Sequence, residues 1–565
     1  MKNRVLIIGL DGATFKLIKP WVKEGKLPTF AKLMEEGIYG ELESTPEMIS
    51  PAAWTSFSTG NNPGKHGIYD FLSLIPGTLK TQYLNSTHRG GKPVWAILSE
   101  AGKMVGVLNV PMTYPADRVN GFMLSGWNAP TVNSPGFSHP TNLIMELTKK
   151  FGDIPLFPAV KKYMAIGRPD LGLKELYGYL DKHAEVTKHL LKTHPWDFLV
   201  AFFIATDQVQ HYYWHYMDDQ HPQFQTEEAK KYGDAIFSIY KRCDQIIAEL
   251  IEDLPEDTTV IVMSDHGSGR NHGAVQFLPT WLKEMGLARE MVGASKSGLA
   301  MQWVRMKYFL KIMLKEVYNF LNNYLSIKAK SYLNIYFAAL RDKVESTWRF
   351  SAYDWQNTKV FFHYEPRINL KGREPYGIVS PGKEYEDLRN HLIEKLCECK
   401  DVKTGQHVVE KVFKGDEVYH GIHISNAPDI IIRWKEGIVL SGLTCKRDDG
   451  EEIRVTNKYV EDLRTGNHMP AGIFIAKGKN IKSAGEIFGA SIMDLAPTVL
   501  YLMGEAVPND MDGKVLVNIF TDHYLEQNEI SFTKAKGDKD DDNGGYSRTD
   551  EEIVRKHLRD LGYLN

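Results

Sequence analysis

Cysteine is scarce in this 565-residue chain: Cys243, Cys397, Cys399 and Cys445 are all there is. Their spacing matches neither a zinc ribbon nor a disulfide framework, so the thiols are expected to be reduced. Long apolar runs are missing too. No stretch reaches eighteen uninterrupted apolar residues, and Met1-Lys-Asn-Arg leads directly into a strand-like run, with no room for a charged leader, apolar core and cleavage site. The expected compartment is therefore the cytoplasm. Nor is there an excess of charge: a net −3, with 25% charged and 43% hydrophobic residues, describes a globular protein with no global pull toward nucleic acid or an anionic membrane. No internal repeat is visible.

What the chain does have is length and an alternation of strand and helix patterns. It is too long for one ordinary domain, which fits a large α/β core carrying insertions. Arg4 to Leu10 is a continuous apolar run that ends in Asp11-Gly12, the pattern of a buried parallel strand delivering a carboxylate at its C-terminal end. Ligands bind at that edge of open α/β sheets. Helical patterns follow at Thr14 to Glu24 and Thr29 to Glu36, and further strands are expected at Val105 to Val110, Phe198 to Ile204 and Thr258 to Met263. The last two lead to Asp207 and to Asp265-His266. From Gln276 to Thr347 the chain becomes aromatic and basic, which reads as an inserted helical module spanning 276–350: a cap, a dimer contact or an anionic membrane-surface contact. Strand-like runs return at Lys359 to His363 and Asp429 to Arg433, so the core is expected to comprise 1–275 and 351–525. Residues 526–565 read as a flexible linker followed by a helix capped by Thr549, with Glu552 at the capping-box position.

Four places carry candidate chemistry. Ser50 directly precedes Pro51, which suits the first helical position and makes Ser50 the expected N-cap, beside amides that favour an anion. Asp207 and His211 stand four residues apart, so on a helix they share a face and can share one metal ion. Asp265-His266-Gly267 ends an apolar strand at a tight turn. His468, in Gly466-Asn467-His468, precedes a strand-like run at Ala471 to Ala476. Carboxylates and imidazoles at several strand ends form a donor set suited to divalent ions.

In this order, Asp11, Ser50 with Thr59-Gly60 and His66-Gly67-Ile68, Asp207-x-x-x-His211, Ser264-Asp265-His266-Gly267 and Gly466-x-His468, the chain resembles the alkaline phosphatase superfamily. It is most similar to the type I phosphodiesterase/nucleotide pyrophosphatase branch, over Arg4 to about Leu502. The resemblance implies an α/β fold with a three-layer α/β/α core and a mostly parallel sheet, plus the helical insertion. It implies two divalent ions, zinc in the first place and manganese as the alternative. Asp207, His211 and His468 would hold one; Asp11, Asp265, His266 and the Ser50 oxygen would hold the other. Ser50 would then be the nucleophile of an in-line displacement through a covalent phosphoseryl intermediate.

The expected partner is a small phosphate ester or phospho-head-group, with phosphodiester or pyrophosphate hydrolysis ahead of phospho-group transfer, phosphomutase or phosphonate hydrolysis at the same site. No nucleic acid partner is expected, and a homodimer is compatible with the insert. The chain also departs from the branch. Its characterised nucleotide phosphodiesterases place an asparagine shortly after the His-Gly-Ile segment, where Phe71 stands here, and follow a threonine nucleophile with Phe-Pro-Asn-His, where this chain has Ser50-Pro-Ala-Ala-Trp54. Residues expected to take over substrate contacts are Asn109 first, then Lys65, His66, Lys92, Trp127, Asn128 and His272. Arg270 and the Arg367 to Arg373 segment are candidates for a second anionic group.

Overall fold

The computed structural model describes residues 3–290, 350, 353–456, 463–534 and 545–564. Nearly all of the expected helical insert, including Trp303 to Leu325, and the linker at 535–544 lie outside the described residues. A nine-stranded sheet organises the rest. Its strands are β1 (Arg4–Leu10), β2 (Ile38–Glu43), β3 (Val105–Leu108), β4 (Gly121–Leu124), β5 (Ser138–His139), β6 (Phe198–Phe203), β7 (Thr258–Met263), β10 (Ala471–Lys477) and β11 (Gly485–Ser491). A separate antiparallel ribbon consists of β8 (Gly267–Arg270) and β9 (Gly466–Met469). The sheet order is β11-β2-β10-β7-β1-β6-β3-β4-β5. The five central strands, β7 to β4, run parallel, and β10 is antiparallel to both its neighbours.

Central strands buried on both faces need continuous apolar sequence, and β1, β6 and β7 have it. Register then aligns their ends. Gly9 pairs with Phe202 on one side and with Met263 on the other, which sets Asp11 and Asp265 at the same level, two residues beyond that rung. Antiparallel β10 starts at this end of the sheet, so His468, just before it, is delivered there as well.

The helices used below are α1 (Ser50–Thr59), α2 (Pro169–Thr193), α3 (Ala205–Met217), α4 (Lys383–Glu398) and α5 (Arg548–Asp560). Every residue of α1 is buried although half are serine or threonine. Burial is tolerable because the hydroxyls are bonded within the fold: Thr55 and Thr59 donate to the carbonyls of Pro51 and Thr55, and Ser56 lies 2.9 Å from His66 Nε2. Trp54 seats the helix on the sheet. Its ring lies edge-on to Phe202 at 5.0 Å and covers Gly9, where an added Cβ would come within 2.5 Å of the indole.

Three expectations change. Ser50 is the first helical residue and Ile49, in extended conformation, is the N-cap; with Pro51 second, the Ser50 side chain makes no cap bond. The C-terminal helix begins earlier than expected because Ser547, not Thr549, caps it, accepting from Asp550 N at 3.2 Å. The strands at Val360–Phe362 and Ile430–Trp434 form, but in two-stranded pairings outside the large sheet. With α4 they enclose a second apolar cluster that includes Trp281, Leu392 and Ile453, apart from the main cluster around the sheet. Short strands with polar flanks do not show in sequence which sheet they will join.

Overpacking a site this tight costs on the order of 1–3 kcal/mol. Gly9→Ala is therefore expected to lower the thermal unfolding midpoint by several degrees. A midpoint equal to that of the native chain would show that Trp54 is not wedged against β1.

Candidate active site

Five sheet-edge segments converge. Asp11 follows β1, and the turn after it needs Gly12, whose φ is +68° and whose missing Cβ would meet Asp207 at 3.3 Å. The carbonyl of Asp11 accepts from Thr206 Oγ1 at 2.6 Å, and that of Gly12 accepts from Gln210 Nε2 and Ser268 Oγ, which ties the β1 turn to α3 and β8. On α3, Asp207 and His211 share a face. Asp265 and His266 follow β7, and His468 lies on β9 opposite Ser268.

The donor atoms form two overlapping groups, Asp207/His211/His468 and Asp11/Asp207/His266, each within 4.8 Å. His211 Nε2 and His468 Nε2 are 3.0 and 3.4 Å from Asp207 Oδ1, and His266 Nε2 is 3.3 Å from Asp11 Oδ1 and 3.4 Å from Asp265 Oδ2. In each histidine Nδ1 donates to a backbone carbonyl, of Gly466 from His211, of Met48 from His468 and of Gly267 from His266, at 2.7–2.9 Å. Nε2 is thus directed into the cluster in all three, the orientation that metal-ligating histidines take from their outer partners.

This cluster fits divalent ions. Asp11, Asp207 and Asp265 are fully buried, and both Asp11 oxygens, Asp207 Oδ1, Asp265 Oδ2 and His266 Nε2 have no hydrogen-bond partner. Buried unpaired carboxylates are costly, and cations bound among them remove that cost. In the ion-free protein, burial and then the facing Asp265 and Asp207 charges hold the Asp11 carboxyl well above its ordinary value, and burial raises Asp265 as well. Burial opposes ionisation of Asp207 too, but His211 and His468 outweigh it and keep that carboxyl well below the usual range. Burial alone would discharge His266; Asp265, Asp11 and Asp207 instead push it up to about 10. His211 and His468 are lowered, mainly by burial.

Ser50 reaches toward this cluster by two links: Met48 O, two residues earlier, accepts from His468 Nδ1 at 2.7 Å, and Tyr563, which Ser50 meets, has its ring 6.3 Å from that of His468. Ser50 Oγ lies 3.4 Å from the hydroxyl of Tyr563. Sequence reasoning missed Tyr563 and Arg464. Arg464 lies against His211, donates to Gly562 O at 2.8 Å and places its guanidinium 5.5 Å from the Tyr563 ring. No motif marks a tyrosine 513 positions from the serine that it meets.

The expected substrate contacts scatter. Trp127 stacks on Tyr563 at 5.4 Å, and His272 lines a cavity of about 550 Å³ whose wall includes Arg464, Gly562 and Tyr563. Asn109 donates to His183 on α2 at 2.7 Å, Asn128 accepts from Met112 N, and His66 supports α1. Lys65 pairs with Asp512 and Lys92 with Glu100. Arg270 is engaged by Asp218, Arg367 by Glu374 and Arg373 by Asp429.

A mostly parallel sheet with acids and histidines gathered at one end defines an alkaline-phosphatase-like phosphoric ester hydrolase. The type I phosphodiesterase/nucleotide pyrophosphatase family model matches residues 5–452, and the chain belongs to that family, whose members are metal-dependent. No curated protein matches the chain. Among solved structures, phosphonoacetate hydrolase from Sinorhizobium meliloti 1021, in complex with phosphonoformate, is similar at 13% identity and TM-score 0.51, covering 89% of this chain and 96% of that one. An inactive form of murine ectonucleotide pyrophosphatase/phosphodiesterase 5 in complex with AMP is similar at 13% identity and TM-score 0.45, with the same coverages. Among the described residues no helix is long and apolar enough to cross a membrane.

With His266 raised to about 10 and Asp11 raised beside it, this corner holds a proton at neutral pH that an ion must displace. Protons are bound below the raised values and lost above them, so zinc or manganese affinity is expected to rise between pH 6 and 9, about tenfold per unit for each proton released. Calorimetric titration in buffers of different ionisation enthalpy measures that release. An affinity independent of pH would contradict the assignment.

Proposed function

We propose that the chain hydrolyses phosphodiester or pyrophosphate bonds of a nucleotide or phospho-head-group, through a covalent phosphoseryl intermediate on Ser50 and with two divalent ions. One arrangement carries the reading: three fully buried carboxylates lie among three histidines whose Nε2 atoms all face inward, and the buried Ser50 meets Tyr563, whose ring lies 6.3 Å from that of His468. Asp207, His211 and His468 would hold one ion, and Asp11, Asp265, His266 and the Ser50 oxygen the other; Asp207, which falls in both groups, stands between them. Imidazole with carboxylate favours zinc, with manganese the alternative. When bound, the ions neutralise the carboxylates, acidify the serine hydroxyl and stabilise charge developing on the phosphoryl oxygens.

The chain's own groups do the rest. Ser50 Oγ attacks phosphorus, the P–O bond to the leaving alcohol or phosphate breaks on the opposite side, and the serine proton departs with that group. Water then attacks the phosphoseryl ester from the opposite face, releasing the phosphate product and restoring the hydroxyl. The three histidines, with Nδ1 bonded to carbonyls, keep their Nε2 atoms fixed and are not free to swing out as bases. A phosphorus oxyanion is also what the S. meliloti hydrolase of similar fold holds.

Hydrolysis of bis-p-nitrophenyl phosphate and p-nitrophenyl phosphate with zinc or manganese tests the reading. Ser50→Ala is expected to lose at least about 10³-fold in kcat while still binding metal, and Asp207→Ala to lose both activity and metal. Undiminished turnover by Ser50→Ala would remove the nucleophile assignment.

A further inference from the structure

The C-terminal segment reaches into the centre just described. Tyr563 is partly buried, packed against Trp127, stacked at 5.4 Å with an interplanar angle of 4°, and against Phe71 at 4.9 Å. Its backbone is held as firmly as its ring. Gly562 O accepts from Arg464 at 2.8 Å, Leu561 O accepts from the Tyr212 hydroxyl at 3.3 Å, and Gly562 adopts φ +93°, where a Cβ would meet that same hydroxyl at 2.7 Å. Further back, Val554, Leu558 and Leu561 are buried in the main core, Arg555 donates to the Tyr83 hydroxyl, Lys161 donates to Arg559 O, and Tyr546 both donates to and accepts from Asn128. So many anchors describe a built-in part of the site and not a loosely docked tail.

The polar contact of the Tyr563 hydroxyl is Ser50 Oγ, at 3.4 Å. A phosphoryl group under attack lies about 3–3.5 Å from its nucleophile, so its oxygens fall within reach of a donor at that radius. Phe71, packed beneath the phenol, offers no donor of its own. Tyr563 also forms part of the wall of the cavity of about 550 Å³, together with Arg464 and His272.

We propose that Tyr563 is a catalytic residue: its phenol donates a hydrogen bond to a non-bridging phosphoryl oxygen as Ser50 attacks, and the C-terminal segment is part of the active site. The inference rests on the phosphoryl-transfer reading above. It explains why Trp127, singled out in the sequence, matters: it holds the phenol in plane. It also gives Arg464 a positioning role, through Gly562.

The test uses the full-length, metal-loaded chain and compares the native protein, Tyr563→Phe, Tyr563→Ala and Ser50→Ala. Removing one preorganised donor lowers turnover about 10²-fold. Tyr563→Phe is therefore expected to lose roughly that factor in kcat/KM on bis-p-nitrophenyl phosphate and to bind inorganic phosphate more weakly by calorimetry, with unchanged metal content and melting temperature, because the ring packing remains. Values of kcat/KM and phosphate affinity within twofold of the native chain would overturn the proposal. So would a rise in kcat/KM in Tyr563→Phe or Tyr563→Ala, which would identify the tyrosine as an obstruction. Ser50→Ala separates this failure from failure of the functional reading: equal activity of Ser50→Ala and the native chain sinks the nucleophile, whereas a dead Ser50→Ala beside an unaffected Tyr563→Phe sinks the phenol alone. If the native chain hydrolyses neither ester, the phosphate titration still decides.

Discussion

Three carboxylates buried within one cluster are the constraint on which the rest of this structure depends. Asp11, Asp207 and Asp265 have no access to water, and although imidazoles lie near them, several of their oxygens have no hydrogen-bond partner. Such a concentration of one sign is stable only with positive charge brought into it. The carboxylates push His266 up to about 10, while burial lowers the two other histidines. A divalent ion held by Asp11, Asp207 and His266 would supply that positive charge. The surrounding fold is arranged to keep the ligands from relaxing away: carbonyls orient each ring, and Thr206, Gln210 and Ser268 pin the turn that carries Asp11.

Ser50, the proposed nucleophile, is positioned by different means. A hydroxyl-rich helix would ordinarily stay near water, yet α1 lies wholly inside, with its serines and threonines satisfied by its own carbonyls and by His66. Trp54 then fixes its height above the sheet against Gly9 and Phe202. Here it acts through packing, and its work is to hold Ser50 rather than to touch substrate.

Much of this was legible in the sequence, and the reasons are specific. Continuous apolar runs ending in Asp11 and Asp265 announce central parallel strands, because such strands admit no polar alternation. The Asp207 to His211 spacing announces a shared helical face, and both lie on α3 as that spacing requires. What was not legible depended on long-range pairing. Val360–Phe362 and Ile430–Trp434 look like strands and are strands, but local sequence does not say that they leave the main sheet for a second apolar cluster. The cap of α1 shifted by one residue and that of α5 by two, within the usual latitude of helix ends. Asn109, the favoured substrate contact, faces His183 because its positive φ turns the chain away after β3. Tyr563 had no signature, since its role comes only from what α5 packs against.

The contact between Ser50 and Tyr563 also sets a schedule. The two side chains are 513 positions apart, and at 5–20 residues per second the ribosome makes them roughly 25 to 100 s apart. During that interval the sheet and α1 can assemble on the emerging chain, while the wall that Tyr563 completes is still missing. The Ser50 side of that contact is thus made well before its partner, and the cavity wall to which Tyr563 belongs closes only after the intervening chain has followed.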